Sequence, residues 1–242
     1  MEHEHSPDAI HKRLESGPTL NYLRDWIYGG IDGAVTTLAV VTGVAGAQLS
    51  TWVILALGFA NLFADGFSMA ASNYLGTRAE HDDWRRLEKI EHRHIDLAPE
   101  GEREEVRQIF ARKGFADAAL EHIVATITAD RRLWVETMLA EEHGLRGEHP
   151  SPMKSGAVTF AAFVLVGTIP LLPLLFTRLG MPLQLYVSIA LAALVFFAIG
   201  SLKSLFLRQP TIRSGLTTLL TGGSAAVLAY VVGHLLRNAL GV

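Results

Sequence analysis

Apolar runs long enough to cross a hydrocarbon layer, about 20 residues, recur five times along the chain. Residues 155–177, 180–202 and 214–236 are free of acidic and basic side chains apart from their ends. Residues 26–47 and 52–75 are as long, but each holds one aspartate, Asp32 and Asp65. Between the second and third runs, residues 78–150 are dense in charge and must lie in water. That segment divides into three pieces of helical period. Trp84, Leu87 and Ile90 stripe the first. The second begins near Pro99, carries Val106, Ile109 and Phe110, and stops at Gly114. The third runs from about Asp117 to His143, with Leu120, Val124, Ile127, Trp134 and Met138 on one face and Gly144 as its stop. The pattern predicts an all-α, polytopic membrane protein. Residues 1–21 form a polar cytoplasmic tail, residues 22–77 the first two spans, residues 78–150 a small three-helix cytoplasmic domain, and residues 151–242 the last three spans. About 70 residues bury little surface, so the inserted domain is expected to need a partner surface.

Charge sharpens this picture. All 24 acidic residues precede position 151, so carboxylate chemistry belongs to the first two thirds of the chain. Cysteine is absent, which excludes thiolate metal sites and disulfides. Lys12, Arg13, Arg24, Arg78, Arg85, Arg86, Lys154, Lys203, Arg208 and Arg213 fall on one side of a five-span arrangement, against Arg178 and Arg237 on the other. By the positive-inside rule the tail and the charged domain face the cytosol. The first twenty residues do not resemble a secretory signal; with His3, His5 and His11 they read as a solvated, unstructured tail.

An aspartate at mid-membrane costs about 2.5–3.5 kcal/mol on insertion scales, so it persists where it faces a partner, water or an ion. Asn61, Asp65, Met69 and Asn73 are spaced by four and form one slanted stripe, with Ser68 and Ser72 beside it. On the first span Asp25, Asp32 and Thr36 lie close to one face. Two polar stripes on successive spans point to a path through the bundle. The alternative is structural: both aspartates hydrogen-bond to Ser, Thr or backbone groups and hold helices together. Carboxylate oxygen beside thioether sulfur suits a transition ion such as Fe(II) better than Mg or Ca.

The charged domain holds a second set of candidates. Glu91 and His94 form an E-x-x-H pair and Glu102 and Glu105 an E-x-x-E pair, while Glu141, Glu142 and His143 close the third helix. Residues three apart on a helix can share one ion, although solvated helix faces carry such pairs by chance. On spacing alone Met138 belongs to the apolar stripe.

DWIYGGIDGAVTT in the first span, NLFADGFSMAASNYLGTRAE in the second, an acidic three-helix insert and three further spans together resemble the vacuolar iron transporter family, over nearly the whole chain after Tyr22. The resemblance implies a homodimeric five-span carrier in the lipid bilayer that exports Fe(II), and often Mn(II), from the cytosol by proton antiport. Such a carrier serves iron homeostasis and detoxification, with the ion as substrate, no permanently bound cofactor and no nucleic-acid partner. It makes Asp32 the translocation aspartate of the first span and Met69 the methionine ligand of the second. It likewise makes Glu91, Glu102, Glu105 and Glu142 metal-binding glutamates, with Met138 beside them. Two positions depart from the plant-type pattern. Asn61 replaces a glutamate near the cytoplasmic entrance, leaving proton exchange to Asp32 and Asp65, and His94 replaces a glutamate of the insert while keeping a metal-binding atom. Gly29, Gly30, Gly33, Gly43 and Gly46 are expected to let the first helix pack closely at the dimer axis.

Two rival readings remain open at this stage. One is a membrane-anchored, ferritin-like di-iron ferroxidase, whose sites use a Glu-x-x-His on each of two helices; the other is a metal-sensing receptor. No base-nucleophile pair or phosphate loop points to another enzyme. The short chain leads us to expect a bacterial inner membrane.

Overall fold

The computed structural model describes residues 6–16, 21–145, 150–176, 180–207 and 210–241. His3, His5, Arg178 and Arg208 lie outside the described residues. The described residues form helices and no strand: α1 (Pro7–Ser16), α2 (Leu23–Gly46), α3 (Thr51–Leu97), α4 (Pro99–Arg112), α5 (Asp117–Ala129), α6 (Arg131–Glu141), α7 (Pro152–Thr168), α8 (Met181–Leu207) and α9 (Thr211–Leu240). Five helices are long and apolar enough to cross a membrane: α2, α3, α7 with its 3-10 extension, α8 and α9. The chain divides into two compact units, residues 21–76 with 150–242, and residues 1–20 with 77–149.

In the first of these units α2 is central, and it packs by bringing backbones together. A Cβ at Gly29 would lie 2.5 Å from the Thr159 carbonyl oxygen, and one at Gly33 2.4 Å from that of Phe163, both on α7. At its other end Gly46 meets the Tyr230 carbonyl of α9 in the same way, and the buried Thr42 hydroxyl donates to the Ala226 carbonyl at 3.0 Å. These glycines therefore serve contacts inside one chain, where the sequence led us to expect a dimer axis. Small residues are what such contacts require in lipid, where close van der Waals packing replaces the hydrophobic effect between helices. The backbone N–H of Ser151 donates to the Tyr22 hydroxyl at 3.1 Å, so α2 and α7 start at the same end. Gly200, late in α8, packs on Ser214, early in α9, so the spans alternate in direction. After Thr168 the third span tightens into a 3-10 turn, Ile169–Leu175. Pro170 and Pro173 have no N–H to continue the α-helical ladder.

The other unit departs from the sequence expectation at three places. Its first helical piece is no separate helix: α3 runs unbroken for 47 residues from the second span. No proline interrupts it, and the helical period continues after the composition changes. The expected third helix is two, because Asp130 turns extended (φ −112°, ψ 112°) and its side chain accepts from the N–H groups of Arg132 and Leu133. Aspartate favours such an N-cap over a helix interior. The tail holds a helix, α1, begun by Pro7 at its first position, with Ser6 Oγ accepting from the Ala9 N–H at 3.4 Å. The core of this unit joins Ile95 of α3, Val106 of α4, Val124 and Ile127 of α5, and Trp134, Val135, Met138 and Leu139 of α6.

Gly33→Ala is expected to lower the melting temperature of the detergent-purified protein, because the methyl group has nowhere to go; overpacking of this kind costs about 1–3 kcal/mol. Gly76→Ala meets no atom within 4 Å, and should leave the melting temperature unchanged or raise it through helix propensity.

Candidate functional site

Glu91 occupies a core position. Trp84, Leu87, Glu91 and Ile95 follow the apolar stripe of α3, and Glu91 is only 1% exposed. Its Oε1 lies 2.9 Å from His143 Nε2, and its Oε2 has no hydrogen-bond partner among the described residues. Glu102, in the first turn of α4, is also buried, with Oε2 unpartnered and Oε1 3.5 Å from His94 Nδ1. A buried carboxylate oxygen without a bond carries its full desolvation cost. A cation or a proton is what relieves it.

The neighbours do not supply a fixed cation. Elsewhere in this unit acids are matched: Arg107 bridges Glu104 and Glu121, Arg131 holds Asp96, Arg132 holds Glu136, and Lys113 holds Glu141 at 2.6 Å. Among the described residues no Lys or Arg pairs with Glu91, Glu102, Glu105 or Glu142. Burial, then Glu105 and Glu91, push the Glu102 carboxyl up to about 7. Burial, then Glu142 and Glu91, raise Glu105 as well. His94, exposed on α3, pulls in the opposite direction on both.

Two triads place a donor atom from every member within 4.8 Å of the others: Glu91, His94 and Glu102, and Glu91, Glu142 and His143. Glu91 belongs to both. His143, a candidate by its place beside Glu142, is a residue to which the family resemblance gave no role. It directly follows Glu142, the C-cap of α6; beyond it Gly144 takes φ +70° and the Leu145 N–H donates back to the Leu139 carbonyl at 2.8 Å, closing the helix end. The signal was a histidine directly after Glu142 and before a helix-stopping glycine. Met138 is fully buried in the apolar cluster. Glu105 and Glu142 remain exposed.

In the membrane unit the two aspartates share a neighbour. Gly33 and Gly66, each following an aspartate, both pack on Phe163 of α7, so Asp32 and Asp65 stand at one level of the bundle. Asp32 is half-buried and Asp65 exposed, with Met69 half-buried one turn further along α3. Asn61 lines an open groove of about 660 Å³ between α2, α3 and α9, walled by small residues including Ala39, Gly43, Ala60 and Ala64. Asn73 lies elsewhere: its amide donates to Asp25 Oδ1 at 3.0 Å and to the Thr159 hydroxyl at 2.8 Å, tying α3 to α2 and α7. Spacing alone did not distinguish that brace from a path-lining residue.

Residues 23–234, the five spans and the insert together, match the sequence profile of the VIT family. The chain belongs to the VIT family. It is similar to the vacuolar iron transporter of Toxoplasma gondii, with 31% identity over 96% of this chain and 80% of that protein. It is also similar to vacuolar iron transporter 1 of Arabidopsis thaliana, with 30% identity over 89% of this chain and 86% of that protein. The vacuolar iron transporter of Plasmodium berghei is 28% identical over 98% of this chain and 89% of its own length. Membership in a family of transporters makes this VIT protein a multi-pass membrane transport protein and not an enzyme. The relatives are named for a vacuole and come from eukaryotes, so they lend no support to a bacterial inner membrane.

The Glu102 environment has a pH consequence. The folded state holds this proton more tightly than the unfolded chain does. Without metal, its contribution to stability therefore falls as pH rises from about 4.5 to about 7, while a metal that needs the carboxylate gains affinity over the same interval. Calorimetric titration of the full-length protein in detergent should show tighter divalent-metal binding, with less proton release, at about pH 7.5 than at about pH 5.5. Glu102→Gln should weaken binding and remove most of that difference.

Proposed function

We propose that this VIT protein exports a divalent metal, Fe(II) and also Mn(II), from the cytosol in exchange for protons. The observation that carries the reading is the pair of aspartates in spanning helices, Asp32 and Asp65, for which no Lys or Arg partner occurs among the described residues. An uncompensated carboxylate at this depth is costly, so each must be neutralised by a passing ion, by a proton or by a polar partner. Metal and proton competing for the same carboxylates would couple the two fluxes. Met69, close to Asp65 on α3, adds a thioether that suits Fe(II), and Asn61 lines the groove along the same helix, while Asn73 braces α3 against α2 and α7.

Within this reading the unit of residues 77–149 faces the cytosol and gathers ions on Glu91, His94, Glu102, Glu105 and Glu142. Met138, buried in the core, supports these ligands by packing and approaches the ion only if the cluster rearranges. The orientation rests on Arg24, Lys154, Lys203 and Arg213, which cluster at one end of the spans. The relatives' printed name, vacuolar iron transporter, favours iron as substrate.

The reading includes a homodimer. Asp65 is exposed on α3 beside Phe63 and Phe67, and a charged side chain facing lipid is unfavourable. A second copy covering that face removes the exposure.

Sealed, anaerobic vesicles containing the protein are expected to move Fe(II), and Asp32→Asn to reduce that movement to the level of protein-free vesicles. Unchanged flux in this variant would sink the mechanism. Fe(II)-dependent oxygen consumption by the wild type in detergent would favour a ferroxidase instead. For the dimer, the absence of cysteine makes Ser68→Cys, exposed on α3, a clean probe. Oxidation in membranes should yield a disulfide-linked dimer, and a persistently monomeric product would count against the arrangement.

A further inference from the structure

We propose that His94 and His143, standing on either side of Glu91, act as nitrogen ligands that set the metal preference of the cytosolic cluster, favouring borderline ions such as Fe(II), Co(II) and Zn(II) over Mn(II), Mg(II) and Ca(II). This rests on the metal-gathering role proposed above for residues 77–149 and adds to it the class of ion selected and a ligand, His143, that sequence similarity does not assign.

Glu91 supplies the anchor. It is 1% exposed, shared by both triads, and leaves Oε2 without a hydrogen bond among the described residues. Glu102 Oε2 is likewise buried and unpartnered. These oxygens distinguish the cluster from a solvated acidic face.

The donor spacings fit ion coordination. Two donors each about 2.1 Å from one ion lie about 3.0 Å apart at a right angle and about 3.4 Å apart at the tetrahedral angle. His143 Nε2 to Glu91 Oε1 measures 2.9 Å, and His94 Nδ1 to Glu102 Oε1 measures 3.5 Å. Glu142 Oε2, 3.8 Å from His143 Nε2, closes the second triad with a small side-chain adjustment. Each triad thus combines two carboxylates with one imidazole.

The donor set then decides the class of ion. Imidazole suits Zn, Cu, Fe and Ni, whereas carboxylate, carbonyl and water suit Mg, Ca and Mn. A cluster of glutamates alone would accept both groups. Replacing one carboxylate by an imidazole in each triad also removes negative charge, which weakens the hold on hard ions more than on borderline ones.

The test uses the full-length protein in detergent under anaerobic conditions, titrated with Co(II) and with Mn(II), each alone and in competition. Co(II) absorption reports nitrogen in the coordination shell directly. In the wild type Co(II) should bind more tightly than Mn(II) and show the bands of a mixed nitrogen and oxygen shell. His143→Glu and His94→Glu should each lower the Co(II)-to-Mn(II) affinity ratio by about ten- to hundredfold, the scale on which even outer-sphere partners alter metal affinity. The drop should come from Co(II), with Mn(II) affinity kept or raised. His143→Gln, whose amide can still donate to Glu91, covers the case in which the glutamate variant misfolds, and it too should lower the ratio. An unchanged ratio, an equal loss of both metals, or a Co(II) spectrum identical in wild type and variants would overturn the proposal. Vesicle flux is read separately: a protein that fails to transport yet shows this shift retains the selectivity assignment and loses only the transport reading.

Discussion

A buried carboxylate with one oxygen unpartnered among the described residues organises the unit of residues 77–149. Glu91 stands where the α3 stripe calls for an apolar residue. Everything around it is arranged to bring donors to it without neutralising it permanently. The first turn of α4 supplies Glu102, and the C-terminal end of α6 supplies His143. Arginines and lysines are spent on other acids. A fixed Arg at this position would satisfy Glu91; among the described residues none does, and Oε2 keeps no hydrogen bond. The high proton affinity of Glu102 has the same origin, because acids crowded out of water favour whichever neutral state is available.

The membrane unit applies the same logic in a different solvent. There the backbone is the packing surface: Gly29, Gly33 and Gly46 let α2 touch α7 and α9 directly, fixing where Asp32 stands. Phe163 receives the glycine after each aspartate, its backbone meeting Gly33 and its ring meeting Gly66, so Asp32 and Asp65 stand at one level. Asn73 spends both amide protons on Asp25 and Thr159 and braces the helices. Rigid packing on the α7 side contrasts with the open groove past Asn61 and the exposed Asp65. The residues read as the path lie along that less packed side of α3.

Much of this was legible in the residues. Apolar length identified five spans, and the loss of acids after position 150 confined the chemistry to α2, α3 and the insert. Helical spacing brought Asn61, Asp65 and Met69 to one stripe and paired Glu91 with His94 and Glu102 with Glu105, and family resemblance then gave the glutamates their metal-binding reading. Other features depended on choices that composition does not reveal. The continuity of α3 was hidden because polarity changes where the backbone does not. The break at Asp130 was hidden because an aspartate reads equally as a solvated helix residue or an N-cap. His143 lies just past the C-cap of α6, where spacing leaves its side chain undirected, and the packing of α6 with α3 in one core is what brings it to Glu91. Asn73 fits the path stripe by period, and only the arrival of Asp25 and Thr159 reveals its brace.

The central claim is that metal and proton compete for the same unpaired carboxylates, so that the movement of one requires the countermovement of the other. Simultaneous recording of Fe(II) uptake and lumenal pH in sealed, anaerobic vesicles tests it most directly. Fe(II) entry accompanied by lumenal alkalinisation, and accelerated by an acidic lumen, is the expected result. Fe(II) entry at a rate indifferent to the pH gradient, with no proton movement, would contradict it.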